Sequence, residues 1–361
     1  MNKNYYAIIM AGGIGSRFWP ISRTSHPKQF IDILGTGKTL IQNTYDRFLK
    51  VCPPENIYVV TNESYTALVK SQLPNMADNQ ILTEPVMRNT APCVAYGCFK
   101  IESLNPDAVI VVAPSDHLIL DEAGFVSTIE KSLKVASENN CLITLGIKPS
   151  RPDTGYGYIQ FTDNALEDDF YKVKTFTEKP TLDIAKTFIQ SGDFLWNAGI
   201  FVWSAKAIVK SFSQYLPEMN DIFAESRPYY NTDEERSHVN QAYMQCTNIS
   251  IDYGIMEKAD NVYVLPSEFG WSDLGTWASI YDLSNKDYVG NAVIPSEKVI
   301  MYDSSNCMVN VPEDKLVILQ GLHDFIVVES NNTLLICPRD QEQNVKKVVA
   351  DVKQQFGTKY I

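Results

Sequence analysis

The apolar run Tyr6-Ala7-Ile8-Ile9-Met10 passes straight into Ala11-Gly12-Gly13-Ile14-Gly15-Ser16-Arg17. The chain then continues through Phe18-Trp19-Pro20 to His26-Pro27-Lys28-Gln29-Phe30. A short apolar run ended by glycines reads as a buried strand that leaves in a tight turn, because glycine reaches backbone conformations closed to other residues. Outward-facing amides in such a turn make an anion cradle. Arg17 adds a planar fork of donors and Lys28 a mobile point charge. The combination suits a site that holds several phosphate oxygens while one phosphorus reacts.

Two other phosphate loops do not fit. A dinucleotide fold asks for G-x-G-x-x-G opening a helix, but Gly13-Ile14-Gly15 is followed by Arg17-Phe18, and Trp19-Pro20 works against an immediate helix. Gly35-Thr36-Gly37-Lys38-Thr39 resembles the end of a Walker A loop, yet the first glycine of that motif would fall at Asp32. The segment reads instead as a turn and helix start leading into 40–49.

At 361 residues, 45% of them hydrophobic, the chain can bury a large core. Its net charge of −12, with no basic run to offset it, argues against nucleic acid or an anionic membrane as partner. Phosphate chemistry in such a protein needs a local cationic pocket, or magnesium. The N-terminus carries Lys3 and an apolar run too short for a secretory signal, and no apolar stretch approaches the roughly 20 residues that span a membrane. Seven cysteines, an odd number without a C-x-x-C pair, read as reduced thiols. The expected location is the cytoplasm.

From the start to about Asn164 apolar strand candidates at 57–60, 108–113 and 142–145 alternate with helical patterns at 64–73, 91–104 and 125–139. That alternation predicts an α/β fold with a doubly wound, mainly parallel, Rossmann-like sheet, and ligands at the C-terminal ends of its strands. The middle third, to about Trp277, is less regular and extends the same sheet. Beyond 283–290 the chain becomes short apolar runs at 299–302, 307–311, 316–319, 325–328 and 333–336. Their spacing predicts a small C-terminal β domain, either a hexapeptide-like left-handed coil or a compact sandwich, closed by an amphipathic helix at 341–356. The expected division is 1–285 and 286–361, and the C-terminal region offers a face for a homodimer.

Seven motifs then fall in one order: the Gly-rich signature through Lys28, TEPVMRNTAP at 83–92, PSDH at 114–117, TGYGY at 154–158, FTEKP at 176–180, WNAG at 196–199 and GWSDLGTW at 270–277. Together they resemble the sugar-1-phosphate nucleotidylyltransferases, and within them the members that join a guanine nucleotide to mannose 1-phosphate. The likeness runs from the first strand to about Trp277. Phe18, where leucine is usual, and Ala198, where serine is common, are conservative departures. Bifunctional members continue into a cupin-like isomerase domain, and a second, phosphomannose isomerase activity is not expected of this chain.

The resemblance implies transfer of GMP from GTP to mannose 1-phosphate, giving GDP-mannose and pyrophosphate. It assigns Ala11, Gly12, Gly13, Gly15 and Ser16 to the nucleotide, with Arg17 and Lys28 neutralising the departing pyrophosphate. Every reacting group is anionic, so catalysis is mainly positioning and charge neutralisation. Asp116 and Asp273 are the expected Mg²⁺ pair, since a hard cation takes one or two carboxylates plus phosphate oxygens and waters. Each aspartate also suits a helix N-cap. His117 is expected to make structural hydrogen bonds.

On the sugar side, Lys179 offers a charge for the sugar's phosphate, Glu178 and Asn197 suit vicinal hydroxyls, and Gly157 lets backbone lie against the ring. Tyr156, Tyr158, Trp196 and Trp203 read as core. The segment 249–258 reads as the start of a structural amphipathic helix capped by Ser250 or Asp252. On the base side, an ionised Glu84 would accept from guanine N1–H and its amino group, beside a helix that begins near Asn89 and Thr90. Three rival readings stand beside this one: the same reaction with another sugar phosphate, such as a heptose or fucose 1-phosphate, or another base; a non-catalytic nucleotide-sugar-binding regulator; and a glycosyltransferase. The last would carry a D-x-D motif and has no need of the Gly-rich loop with its lysine.

Overall fold

A computed structural model describes residues 1–166, 169–294 and 298–361. The chain divides into two compact units: Met1–Gly12, Thr44–Ser115 and Ile119–Trp271 form the first, and Gly13–Asn43, Asp116–Leu118 and Ser272–Ile361 the second. The Gly-rich signature therefore leaves the first unit after Gly12.

The first unit is built on nine strands: β1 (Tyr5–Met10), β2 (Ile57–Asn62), β3 (Ile81–Glu84), β4 (Val109–Pro114), β5 (Leu142–Ile147), β6 (Gly157–Ala165), β7 (Tyr171–Glu178), β8 (Phe194–Ser204) and β9 (Val262–Ser267). Their order is β3-β2-β1-β4-β8-β5-β9-β7-β6, with a further β8–β6 pairing. Strands β1 to β4 pair in parallel, as do β5 and β9, whereas β8 runs against β4, β5 and β6, and β7 against β9 and β6. All but β7 and β8 thus point one way, as the alternating pattern predicts. Near-continuous apolar stretches such as Val109–Pro114 and Leu142–Ile147 are buried throughout except at their last residue, as expected of strands covered on both faces.

Two hydrogen bonds fix the exit of β1. The Ala11 amide donates to the Val60 carbonyl at 2.7 Å, and Thr61 Oγ1 donates to the Ala11 carbonyl at 2.9 Å. The helix Thr90–Leu104 opens with Asn89 as its N-cap, whose side chain accepts from the Thr90 amide. Where the sequence predicts the start of an amphipathic α-helix at 249–258, the chain makes a π-helical turn over Asp252–Met256, with Gly254, Ile255 and Met256 buried.

In the second unit the C-terminal strands are β10 (Ala292–Ile294), β11 (Val299–Tyr302), β12 (Met308–Asn310), β13 (Val317–Gln320), β14 (Phe325–Ser330) and β15 (Thr333–Pro338). Strands β10, β12 and β14 pair in parallel, β11 and β13 pair in parallel beside them, and only β15 turns back. Val299 pairs with Val317 and Met308 with Ile326 at the same sequence offset. Of the two expected architectures this is the coil, because a compact sandwich would pair neighbours antiparallel. Cys307, Val309, Val311 and Val327 fill its interior. The closing helix is shorter than the pattern predicts. Arg339–Asn344 is a 3₁₀ segment, and the α-helix covers Val345–Phe356.

Candidate active site

The cleft expected to take phosphate lies in the second unit. Gly15 sits at φ 64°, and a Cβ there would stand 2.5 Å from the Lys28 Cβ. Only glycine lets the loop pass so close to the lysine stem. Gln29 Nε2 donates to the Gly13 carbonyl at 2.9 Å and Ser22 Oγ to the Ile14 carbonyl at 2.9 Å. Those two bonds fix the path of the loop beside Lys28. Phe18 anchors it from behind, edge-on to Trp277 at 5.2 Å, in a core shared with Ile33, Leu274 and Ile280.

Lys28, only 3% exposed, is the hub of the cleft. Its Nζ lies 3.0 Å from Asp116 Oδ2, donates to the Asp273 main-chain carbonyl at 2.5 Å, and sits 5.5 Å over the Phe18 ring. Burial alone would raise the Asp116 carboxyl, but Lys28 and then His117 outweigh it and hold the group below the usual carboxylate range. Asp273 Oδ1 accepts from the Gly275 amide at 2.8 Å. Gly15, Ser16, Arg17, Lys28, Asp116 and Asp273 all line this space of about 240 Å³, joined by His117 and by Lys346. Arg17 Nε is buried and, among the described residues, has no hydrogen-bond partner.

The donor set suits a hard divalent cation. Two carboxylates, Asp116 and Asp273, share the cleft with the glycine-rich loop. That is the make-up of a site completed by substrate phosphates and water.

In the first unit a second cluster gathers the sugar-side residues. The β6–β7 register sets Gly157 opposite Glu178, and a Cβ on Gly157 would meet Glu178 Oε2 at 2.5 Å and Asn197 Cβ at 3.4 Å. Lys179, at φ 47°, pairs with Glu178. Asn197 Oδ1 accepts from Thr144 and from the Gly199 amide, while Nδ2 donates to Asp252 Oδ1 at 2.7 Å. Asp252 is the residue that sequence reasoning missed. Burial, then the neighbouring Glu178 charge, pushes its carboxyl up to about 6. The one local signal, a Ser-x-Asp pair, reads as an ordinary cap. Tyr156 and Trp196 pack with Trp271 as core, as expected.

The base-side residues also lie in the first unit. Glu84, 4% exposed, accepts from the Tyr243 hydroxyl at 3.0 Å, and a Cβ on Gly12 would come within 3.4 Å of its other oxygen. Burial pushes its carboxyl up to about 7 against that hydrogen bond. Thr90 Oγ1 accepts from the Ile251 amide at 2.9 Å, tying the start of its helix to the segment that carries Asp252.

The comparisons with known proteins place the chain among enzymes that transfer nucleotidyl groups. The family described as Nucleotidyl transferase matches residues 6–289, and a second, described as MannoseP isomerase/GMP-like beta-helix domain, matches 297–352. Mannose-1-phosphate guanylyltransferase RfbM of Salmonella typhimurium is 34% identical over 99% of this chain and 74% of its own length. Alginate biosynthesis protein AlgA of Pseudomonas aeruginosa is 35% identical over 96% and 72%. A crystal structure described as mannose-1-phosphate geranyltransferase from Thermus thermophilus superimposes with a TM-score of 0.86 at 30% identity, covering 97% of this chain and 99% of that one. The chain belongs to the mannose-1-phosphate guanylyltransferase family of nucleotidyl transferases. Enzymes of this family generally use a divalent metal. Among the described residues no helix is long and apolar enough to cross a membrane.

Proposed function

We propose that this enzyme transfers GMP from GTP to α-D-mannose 1-phosphate, forming GDP-mannose and releasing pyrophosphate. The observation that carries this reading is the cleft in which Lys28 joins Asp116 and Asp273 beside Gly15 and Arg17, in a chain whose relatives carry the guanylyltransferase name. An oxygen of the sugar phosphate attacks the α-phosphorus, and the bond to the β-phosphate breaks as pyrophosphate leaves with its electron pair. Arg17 and Lys28 offset the charge that collects on the leaving group, because preset cations in a partly dry site cost little reorganisation. Asp116 and Asp273 would hold Mg²⁺, which supplies charge neutralisation at the phosphates when bound. Glu178, Asn197 and Lys179 orient the sugar and its phosphate, and Glu84 with the helix start at Asn89 and Thr90 faces the base.

The acidic net charge supports a small-molecule enzyme with no nucleic-acid or membrane partner, and seven cysteines outside any disulfide among the described residues support a cytoplasmic location. Exposed Ile300, Ile318 and Tyr302 on the C-terminal strands support a homodimer. The test is a pyrophosphate-release assay crossing nucleoside triphosphates with sugar 1-phosphates. GTP with mannose 1-phosphate should give the highest kcat/KM. A higher value for fucose 1-phosphate, a heptose 1-phosphate or UTP would overturn the assignment.

A further inference from the structure

The C-terminal helix brings a third cation to the phosphate cleft. Lys346, the second residue of Val345–Phe356, lines the same space as Gly15, Arg17, Lys28, Asp116 and Asp273. Several contacts seat that helix against the signature loop. Val345 is buried with Trp19 and Leu335, and the Trp19 indole donates to the Tyr360 carbonyl at 2.6 Å. Glu342, just before the helix, accepts from the Ala278 amide at 2.8 Å and lies close enough to Arg17 for the guanidinium to act on its carboxyl.

The charge balance of the cleft gives Lys346 a purpose. Arg17, Lys28 and Lys346 set three cations around the two carboxylates Asp116 and Asp273, an excess of positive charge that suits a polyanion. Lys346 is an exposed residue at the start of the closing helix, so its charge borders the cleft without the desolvation cost that a fully buried lysine bears.

We propose that Lys346 is a polyphosphate-binding residue of this site, holding the phosphates that depart as pyrophosphate. The proposal rests on the nucleotidyl-transfer reading, and its test uses inorganic pyrophosphate, whose binding does not depend on which base or sugar is accepted. Calorimetric titration of the full chain with magnesium pyrophosphate should show Lys346→Gln binding about tenfold more weakly, the loss expected for one charge-assisted contact. Lys346→Arg should restore most of the affinity, and Lys347→Gln, a neighbour outside the cleft, should bind as the unaltered protein does. In turnover, Lys346→Gln should raise KM for GTP by a similar factor and leave KM for the sugar phosphate nearly unchanged. Unchanged pyrophosphate affinity in Lys346→Gln, an equal loss in Lys347→Gln, or equal rises in KM for both substrates would each overturn the proposal. If the protein turns over a different sugar or base while Lys346→Gln still weakens pyrophosphate, the substrate reading fails and the role of Lys346 stands.

Discussion

The Asn197 side-chain amide donates to Asp252 Oδ1 across 2.7 Å, linking strand β8 to the π-helical turn that carries Asp252. Glu178, Lys179 and Glu257 all act electrostatically within this group. The Asp252 carboxyl titrates at about 6, so above that pH it is ionised and holds Asn197 with a charge-assisted bond. Below it the acceptor is weakened. Asp252→Asn should therefore raise KM for the sugar phosphate about tenfold, the usual size of one such bond, with little change for GTP. Both proteins share the sugar phosphate's own ionisation at about 6, and the unaltered enzyme should show a steeper change in that KM across pH 6 than the variant does. Matching pH profiles would reduce Asp252 to a structural cap.

Asp116→Asn removes a charge from Lys28 with almost no change of shape. Activity at saturating Mg²⁺ should fall by orders of magnitude, and the buried ammonium, losing its carboxylate, should cost about 1–3 kcal/mol of stability. The pH sign follows from the depressed carboxyl. Its contribution is present above the unfolded carboxyl value and disappears as pH falls through the lower folded one. Thermal unfolding of the two proteins should therefore converge in acid. Asp273→Asn keeps an acceptor for the Gly275 amide, so it should lose activity while folding normally. Full activity in either variant would remove that residue from the metal site.

Much of this was legible in the sequence, for local reasons. Apolar runs closed by Gly, Pro or polar residues marked the strands, down to Val299–Tyr302, and the loop with its two cations does line one cleft. What stayed hidden depends on long-range approach. The partner of Asn197 lies 55 residues on and that of Glu84 lies 159 residues on, and no short window shows either pair. The titration of Glu84 is set by burial, which a motif does not encode. Lys346 sits in an ordinary amphipathic helix and carries no signal of its own. The helix starts later than its pattern because Gln341, Glu342, Gln343 and Asn344 extend the polar face while adopting 3₁₀ geometry.

Gly15→Ala tests the cradle by geometry alone. The substitution forces an L-residue into φ 64° and drives its methyl against the Lys28 stem at 2.5 Å. Strain of about 1–2 kcal/mol comes from the backbone, and displacement of Lys28 adds a loss of kcat well beyond what that strain implies. Calorimetry beside steady-state kinetics separates the two. Near-normal kcat with lowered stability would show that the close approach of loop and lysine is structural only.

Glu84 joins stability to base choice. Its carboxyl moves from the ordinary 4.5 to about 7 because burial disfavours the charge. The folded state thus binds this proton more tightly than the unfolded chain, so stability falls as pH rises across that interval and then levels off. Glu84→Gln keeps a carbonyl for the Tyr243 hydroxyl and removes the titration. At pH 8 the variant should be more stable than the unaltered protein by about 1–3 kcal/mol, a gain that vanishes near pH 4. For recognition the sign reverses. Guanine offers N1–H and an amino group to an acceptor, so the ionised form is the better reader, and GTP affinity should rise with pH through about 7. The glutamine variant should lose that rise, along with about 1–3 kcal/mol of discrimination against UTP and dTTP. A variant that keeps both the preference for GTP and its pH dependence would show that Glu84 is a buried structural acid for Tyr243, with the base read elsewhere.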